Sequence, residues 1–244
     1  MTLKEDILTK AKEIRDTNFV KNFTNAVPTI SNSKLTFGCT GLTFPATVLY
    51  IDMRGSTKVL NLHQRRVVAK IHMTYYHAIV KVAKADGGEI RSFNGDSLLV
   101  FFYGTTNDVA RKAVRSAMKM KYAITDIINE TLKDYTDIDF GIGIDCGDVL
   151  ATKVGLGGTD ETKDLIWIGN AVNRSTKISD ECKLPYSIGI SNAVYEKLDG
   201  SLLHYKKANQ WGFTMTEDVW SSSWLRYNDN IETMYKTSCL IEIV

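Results

Sequence analysis

The sequence is poor in the residues that build disulfide-stabilised or zinc-binding proteins. It has 244 residues, with only four cysteines and four histidines. The cysteines lie far apart and form no CxxC pair: Cys39, Cys146, Cys182 and Cys239. The histidines show no spacing typical of metal ligands. We therefore expect reduced, buried thiols and neither a disulfide framework nor a zinc site.

Long apolar runs and an excess of charge of one sign are also absent. Thirty basic and 28 acidic side chains give a net charge of +2. This balance argues against binding nucleic acid through bulk charge but allows a small anionic ligand. No stretch approaches the ~18 apolar residues of a membrane-spanning helix, and the charged N-terminus "MTLKEDILTKAKEIRD" lacks the apolar core of a signal peptide. We expect a soluble, cytoplasmic protein with no direct membrane contact.

The chain is long enough for one large domain with an appendage. An amphipathic helix is predicted over residues 3–16, and a Ser/Thr/Asn/Gly-rich connecting segment follows over residues 24–45. The predicted division is therefore an N-terminal helix and connecting segment at 1–45 and a compact domain at 46–244.

The compact domain begins with a regular series of elements. A buried strand, "ATVLYID", is followed by a predicted helix from Val59 to Ala85 and by the strands "EIRSF" and "SLLVFFY", joined at Asn94-Gly95. Asn-Gly predicts a type I′ hairpin turn with positive φ at both residues. A helix at about 107–132 and the strand "DIDFGIGIDCGDVL" complete the order β-α-β-β-α-β, which predicts a ferredoxin-like α+β fold. The last ~45 residues indicate further strands.

Two aspartates lie at the ends of neighbouring predicted strands. Asp52 ends the first strand, and Asp96 directly follows Asn94-Gly95. In the predicted topology, both carboxylates meet at one rim of the sheet. Each residue alone is typical of a turn or a helix cap, but two adjacent carboxylates favour a cation between them.

The segment after Asp52 strengthens the hypothesis of a metal and phosphate site. Carboxylates, the backbone carbonyl of Met53, water and substrate phosphates suit Mg²⁺ or Mn²⁺. The adjoining turn can direct backbone N–H groups at a polyphosphate; it comprises Met53, Arg54, Gly55, Ser56 and Thr57. The residues thus indicate two-metal phosphoryl or nucleotidyl transfer, with polymerase-like and cyclase-like chemistry both open.

A third motif, "IWIGNAVNRSTKIS", opens a predicted helix. Asn173 and Lys177 are four residues apart and share one helix face. Together they can orient a sugar and neutralise charge on a phosphate. The alternative is a solvated surface pair.

Four segments in order resemble the catalytic domain of class III nucleotidyl cyclases: "VLYIDMRGST", "GGEIRSFNGDSLLVFF", "FGIGIDCGDVLATKVG" and "IGNAVNRSTKI". The resemblance implies two metal ions held by Asp52 and Asp96, with Asn173 steadying the ribose while the 3′-hydroxyl attacks the α-phosphate and pyrophosphate leaves. It also implies a homodimer whose active sites lie at the interface, the acids coming from one chain and Asn173 and Lys177 from the other.

Departures from the family pattern concern the base and the transition state. The family usually has arginine where this chain has Lys177, which lacks the bidentate fork. Purine cyclases place polar base-selecting side chains at the positions of Ser92 and Ile166. Ile166 cannot hydrogen-bond a purine edge. Tyr50 lies on the same strand face as Asp52, where its phenol can fill the space of the missing purine ring and offer a hydrogen bond to a smaller base. An ordinary core tyrosine is the alternative for Tyr50.

These departures resemble the pyrimidine cyclases of bacterial Pycsar anti-phage systems. The resemblance implies conversion of UTP to cyclic UMP, and this product would act on a separate effector protein. A cytidylate cyclase using CTP is the first alternative, followed by a purine cyclase and a catalytically inactive nucleotide-binding dimer. Arg54 and Arg91 are candidate contacts to triphosphate or base. A lysine for the γ-phosphate stays unassigned among Lys206, Lys207 and Lys236.

Overall fold

The computed structural model describes residues 1–32, 34–156, 162–208 and 214–244. The helices are α1 Leu3–Asp16, α2 Ser56–Leu62, α3 Arg65–Ala85, α4 Asn107–Tyr122, α5 Asn129–Thr131, α6 Asn170–Asp180 and α7 Asn192–Tyr195. The strands are β1 Val20–Phe23, β2 Thr40–Arg54, β3 Glu89–Asn94, β4 Ser97–Tyr103, β5 Asp139–Gly155, β6 Lys163–Ile168, β7 Ile188–Ser191, β8 His204–Ala208, β9 Thr214–Asp218, β10 Ser221–Tyr227 and β11 Asn230–Thr237. Within these residues, no helix combines the length and apolar character needed to cross a membrane.

The main sheet places the first strand of the predicted unit at its centre. Its order is β10-β11-β7-β5-β2-β4-β3, with β1 beside β2 and β6 beside β5. Strand β2 pairs antiparallel with both β4 and β5. The predicted β-α-β-β-α-β arrangement, with the hairpin beside the first strand, is confirmed. The C-terminal region supplies β10 and β11 to the same sheet and the separate pair β8-β9.

Two predicted element boundaries were wrong, and one helix with correctly predicted ends changes geometry along its length. The predicted helix from Val59 to Ala85 is two helices, α2 and α3, because His63 and Gln64 are extended. The next helix leaves α-geometry after Tyr122 and continues through a π-helical segment, Ala123–Ile128, into α5. Strand β2 begins at Thr40 rather than Ala46, since β1 and β5 pair with its first residues.

The two faces of the sheet carry different layers. Helices α3 and α4 pack on one face around buried side chains such as Tyr75, Ile51 and Phe140. On the other face, Phe44, Phe101 and their neighbours form a smaller cluster. Alternation along β2 turns Tyr50 and Asp52 to this second face, away from the α3/α4 layer.

Helix α6 packs on the second face, over a glycine-rich part of β5. A Cβ atom on Gly143 would overlap the backbone of Ser175 in α6. Glycine at this position therefore allows helix and strand to approach closely. The alternating pattern "FGIGID" thus gives a core face on one side and a helix-binding groove on the other.

Candidate functional site

The sheet brings Asp52 and Asp96 together at the end of β2. Asp52 is level with Ser97 on β4, and the Met53 N–H donates to the Asp96 carbonyl at 3.4 Å. The predicted meeting of the two acids is therefore found in the fold.

The hairpin turn differs by one residue from the expected one. Asn94 pairs with Ser97 as the last residue of β3, so the turn consists of Gly95 and Asp96. Gly95 has φ of 64°, which suits glycine. The expectation of positive φ at both Asn94 and Gly95 was wrong because Asn94 remains in the strand ladder. This register puts Asp96 in the turn itself.

The electrostatics of the pair fit a divalent cation. Burial, followed by the charge of Asp96, raises the pKa of Asp52 to about 6, while Arg54 opposes the shift. Two carboxylates that disfavour each other's charge are stabilised by a cation between them. In the described part of the chain, no cluster of three or more His, Cys, Asp or Glu side chains suits a metal. Met53 has a buried side chain, so only its backbone is available to such an ion.

Arg54 points back into the protein. Its Nη1 donates to Asp52 Oδ2 at 2.7 Å, and its Nε donates to the Cys182 carbonyl at 3.2 Å. Its Nη2 donates to the Ser179 carbonyl and, at 3.3 Å, to the Ser179 hydroxyl. Arg54 therefore links the first acid to the C-terminal end of α6.

The turn after Arg54 starts a helix at once. Gly55 has φ of 69° in the left-handed region and precedes α2, which begins at Ser56. The N–H groups of Lys58 and Val59 both donate to the Gly55 carbonyl. The first N–H groups of a helix, here those of Ser56 and Thr57, have no acceptor within the helix.

Tyr50 and Ser92 project from the same face of the sheet as Asp52. Leu99 of β4 pairs with Tyr50 of β2 on one side and with Ser92 of β3 on the other. Strand β3 has a bulge at Arg91. Tyr50 and Ser92 are both half-buried. Burial raises the pKa of Tyr50, with a smaller opposing effect from Ser97. Tyr50 thus lies beside the acids and packs against the second cluster.

Arg91 is held by the N-terminal segment. Its guanidinium donates to the Pro28 carbonyl at 2.8 Å and to the Val27 carbonyl at 3.0 Å. It also pairs with Glu89. These contacts fasten the segment before β2 to strand β3.

Ile166 does not meet Tyr50 within one chain. Tyr50 of β2 pairs with Gly143 of β5. Ile166 of β6 pairs with Thr152 of the same strand β5. Those two β5 residues are separated by roughly 30 Å of strand, at about 3.3 Å per residue. Ile166 is 42% exposed, so it is available to another molecule.

Asn173 and Lys177 line a cavity of about 340 Å³ that Asp52 and Asp96 do not line. The cavity residues are Asn173, Thr176, Lys177, Arg226, Tyr227 and Asn228. Lys177 lies 3.6 Å from Asp180 of the same helix. Within one chain, the Asn–Lys pair and the two acids therefore do not share this cavity.

Arg226 is a cavity residue that the sequence reasoning missed. It is exposed on β10, and its nearest sequence signal is a charge within the strand pattern "SSSWLRY". The lysines considered earlier lie elsewhere: Lys206 and Lys207 are on β8, and Lys236 donates to the Glu181 carbonyl at 2.6 Å. Arg226 thus supplies a second positive charge to the cavity that Lys177 lines.

A partly buried ionic network that the sequence did not reveal fixes α6 next to Asn173. Arg174 donates to Asp145 Oδ2 and to Glu232 Oε2, both at 2.8 Å. Asp145 is 1% exposed and accepts a hydrogen bond from Ser191 at 2.6 Å. Burial raises the pKa of Asp145, and its bonds to Ser191 and Arg174 oppose the shift. The Arg174 guanidinium lies over the ring of Tyr227, with its central carbon 4.6 Å from the ring centre. The network sets the position of the helix that carries Asn173.

Comparison with known proteins gives the family. Residues 43–219 match the model of the adenylate and guanylate cyclase catalytic domain. A uridylate cyclase of Xanthomonas perforans is 30% identical, with 98% of this chain and 97% of the relative covered. A uridylate cyclase of Rhodovulum sp. (strain MB263) is 27% identical over the same shares of the two chains.

The fold is shared with cyclases of known structure. The adenylyl cyclase CyaB from P. aeruginosa has a TM-score of 0.64 and 19% identity, covering 84% of this chain and 97% of that one. The family suggested by the sequence motifs is thereby confirmed: this chain belongs to the adenylate and guanylate cyclase catalytic domain family, the class III nucleotidyl cyclases.

Proposed function

We propose that this protein is a homodimeric uridylate cyclase that converts UTP to 3′,5′-cyclic UMP and pyrophosphate. The observation that carries the chemistry is the meeting of Asp52 and Asp96 on the face that also presents Tyr50. Two relatives that match nearly the whole chain are named uridylate cyclases, which supports UTP as the substrate. Cytidylate cyclase activity on CTP is the alternative, because Ser92, Ile166 and Tyr50 do not separate a 4-oxo from a 4-amino base edge.

Two Mg²⁺ or Mn²⁺ ions fit this site. Asp52, Asp96 and the Met53 carbonyl would hold them. When bound, such ions activate the 3′-hydroxyl and neutralise charge on the α-phosphate. The protein's own contribution is to hold both carboxylates together at the end of a buried strand. The backbone of the turn at Gly55, Ser56 and Thr57 would receive the triphosphate.

The second half of each site would come from the other chain. Asn173 and Lys177 line a cavity that the two acids do not line, which supports a site completed by a second copy of the chain. Asn173 would orient the ribose, and Lys177 would neutralise a phosphate oxygen as a point charge. Arg226, in the same cavity, would add a second cation with a bidentate fork.

Base selection would follow from what the pocket lacks. Ile166 leaves a purine edge without a hydrogen-bond partner, and Ser92 is too short to replace the family's longer polar side chain at that position. A polar edge that is desolvated without a partner is discriminated against strongly. Tyr50 would fill the space of the missing ring and offer its hydroxyl to a pyrimidine.

The test is a product assay with each of the four ribonucleoside triphosphates and Mn²⁺, read by mass spectrometry. Cyclic UMP is expected as the major product, and Asp52→Ala and Asp96→Ala should each abolish turnover without loss of fold. Cyclic AMP as the only product would overturn the base-pocket argument. Near-normal activity of either alanine variant would overturn the metal assignment.

We also propose that the product is a second messenger in the cytoplasm. As in the Pycsar systems that the motifs resemble, cyclic UMP would activate a separate effector during phage infection. Neither nucleic acid nor a membrane surface is needed for this role. Cyclic UMP measured in infected cells expressing the wild type should exceed that in cells expressing Asp52→Ala; equal levels would contradict the proposal.

A further inference from the structure

Arg54 connects two parts of the molecule that have separate tasks in the proposed function. One end of its guanidinium holds Asp52, and the other end holds the last turn of α6. Helix α6 also carries Asn173 and Lys177. We infer that Arg54 is a positioning residue that fixes Asp52 and α6 relative to each other and thereby influences both active sites of the homodimer. The inference rests on the proposed function and its shared sites.

The hydrogen bonds of Arg54 leave little capacity for a substrate. An arginine has about five N–H donors, and Arg54 makes four hydrogen bonds, to Asp52, the Cys182 carbonyl and both oxygens of Ser179. Its side chain is 23% exposed. These contacts indicate a strut within the protein rather than a free cation awaiting a phosphate.

Strand β5 is shaped to let the arginine pass. A Cβ atom on Gly141 would overlap the Arg54 guanidinium and would lie 2.7 Å from the Cys182 carbonyl oxygen. Gly141 is level with Asp52 on the neighbouring strand. The glycine therefore leaves the opening through which Arg54 reaches α6.

The contact also suits the end of a helix. The last carbonyls of a helix lack partners within it and carry partial negative charge, which a cation stabilises. Helix α6 is 11 residues long, and Asn173 lies roughly 1.7 turns before Ser179 at 3.6 residues per turn. A shift at the C-terminal end of the helix is therefore transmitted to Asn173. In the shared-site arrangement, Asp52 serves the site of its own chain and α6 serves the site of the partner. Arg54 then acts on one site through Asp52 and on the other through α6.

A mixture of two inactive chains separates these routes. In a heterodimer of Asp52→Ala and Asn173→Ala chains, the one intact site takes its acids from the Asn173→Ala chain and its asparagine from the Asp52→Ala chain. Arg54→Ala is added to the Asp52→Ala chain only. There the arginine has no acid to hold and can influence the intact site only through α6.

The expected result is a fall in kcat of about tenfold or more, since small displacements of catalytic groups cost this much, with the KM for UTP unchanged. Arg54→Lys in the same chain should restore part of the activity, because a cation still reaches the carbonyls. Arg115→Ala, an exposed arginine on α4, is the matched control and should have no effect. Each chain is checked for fold and dimer formation by circular dichroism and gel filtration.

Unchanged kcat with Arg54→Ala in the Asp52→Ala chain would overturn the inference, as would a raised KM for UTP with normal kcat. A different result contradicts the proposed function: wild-type protein that makes no cyclic nucleotide. Wild-type activity without recovery in the parent mixture would overturn the shared site and, with it, the inference.

Discussion

Asp52 shows how a single residue can be costly to the fold and useful to the chemistry. It has a pKa raised to about 6, caused by burial and by the charge of Asp96. Arg54 offsets only part of this cost. A partly buried carboxylate next to a second carboxylate is destabilised in its charged form, and a bound cation would offset that cost.

The metal-free protein should therefore show a pH dependence that belongs to Asp52. Its folded-state pKa lies above the usual value of an aspartate, so Asp52 contributes stability below about pH 4, and that contribution is lost as the pH rises through about 6. In EDTA, Asp52→Asn should be more stable than the wild type at pH 8, and the difference should vanish near pH 4. Thermal melts at both pH values measure it. Asp134→Asn, an exposed aspartate, should give no such crossover, and a wild type that is more stable than Asp52→Asn at pH 8 would contradict the account.

Base selection is also decided by single residues. Ser92→Lys combined with Ile166→Asp restores polar groups at both purine-selecting positions and should produce cyclic AMP from ATP while lowering cyclic UMP formation. Ratios of kcat/KM for ATP and UTP measure the change. The control is the double variant Ser92→Lys with Ile168→Asp in place of Ile166→Asp. Ile168 lies two residues further along the same strand and is 50% exposed. An equal gain in the control pair would show that general polarity, and not position, is responsible.

At the scale of elements, the site depends on helices that hold strand ends. Helix α3 does this for the hairpin of Asp96. The Tyr76 hydroxyl lies 3.0 Å from both the Gly95 and the Ser97 carbonyls, on either side of Asp96. The Tyr76 ring also contacts Phe93. The turn that carries the second acid is therefore fastened to a helix that packs on the core.

Tyr76→Phe should weaken metal binding without unfolding the protein. Losing the hydroxyl frees the turn, and loss of a partner behind a metal ligand typically costs roughly tenfold in affinity. The Mn²⁺ concentration for half-maximal activity should rise by about that factor, with kcat mostly recovered at saturating metal. The neighbouring Tyr75 is the control, since its buried hydroxyl has no hydrogen-bond partner. Tyr75→Phe should leave the metal requirement unchanged and should not lower the melting temperature; an equal rise in both variants would contradict the role of Tyr76.

At the scale of the whole molecule, the proposed function gives each chain two half-sites that a partner completes. Asp52, Tyr50 and Ser92 share one face of the sheet next to Asp96, whereas Asn173, Lys177 and Arg226 line a cavity without them. Ile166 lies far along β5 from the first surface. Two copies of the chain can complete two sites at once, as the symmetry of a homodimer allows.

Mixing equal amounts of Asp52→Ala and Asn173→Ala protein, each inactive alone, should recover roughly a quarter of wild-type activity. Half of randomly assorted dimers are heterodimers, and each has one intact site of two. Turnover of UTP after subunit exchange measures it. A mixture of Asp52→Ala with Asp96→Ala is the control and should stay inactive, because both lesions fall on the same half-site. Recovery in that control would contradict the division of the site.

Much of the fold followed from local signals in the sequence. Alternation in "VLYIDM" fixes the faces of β2, so Tyr50 and Asp52 had to share one side. The turn signal at Asn94-Gly95 identified the hairpin, although pairing of Asn94 with Ser97 moved the turn by one residue. The break between α2 and α3 was missed because no proline or glycine marks it.

The sequence by itself determined the β-α-β-β-α-β order of the core, the family and the pair of acids, because periodicity, turn residues and short motifs are local properties of the chain. Only the tertiary structure decided that Arg54 binds the end of α6, that Arg174 joins Asp145 to Glu232, and that Arg226 lies beside Lys177. Each of these contacts joins residues far apart in the chain. They depend on which strands become neighbours and on which face α6 packs, and a local pattern does not specify either.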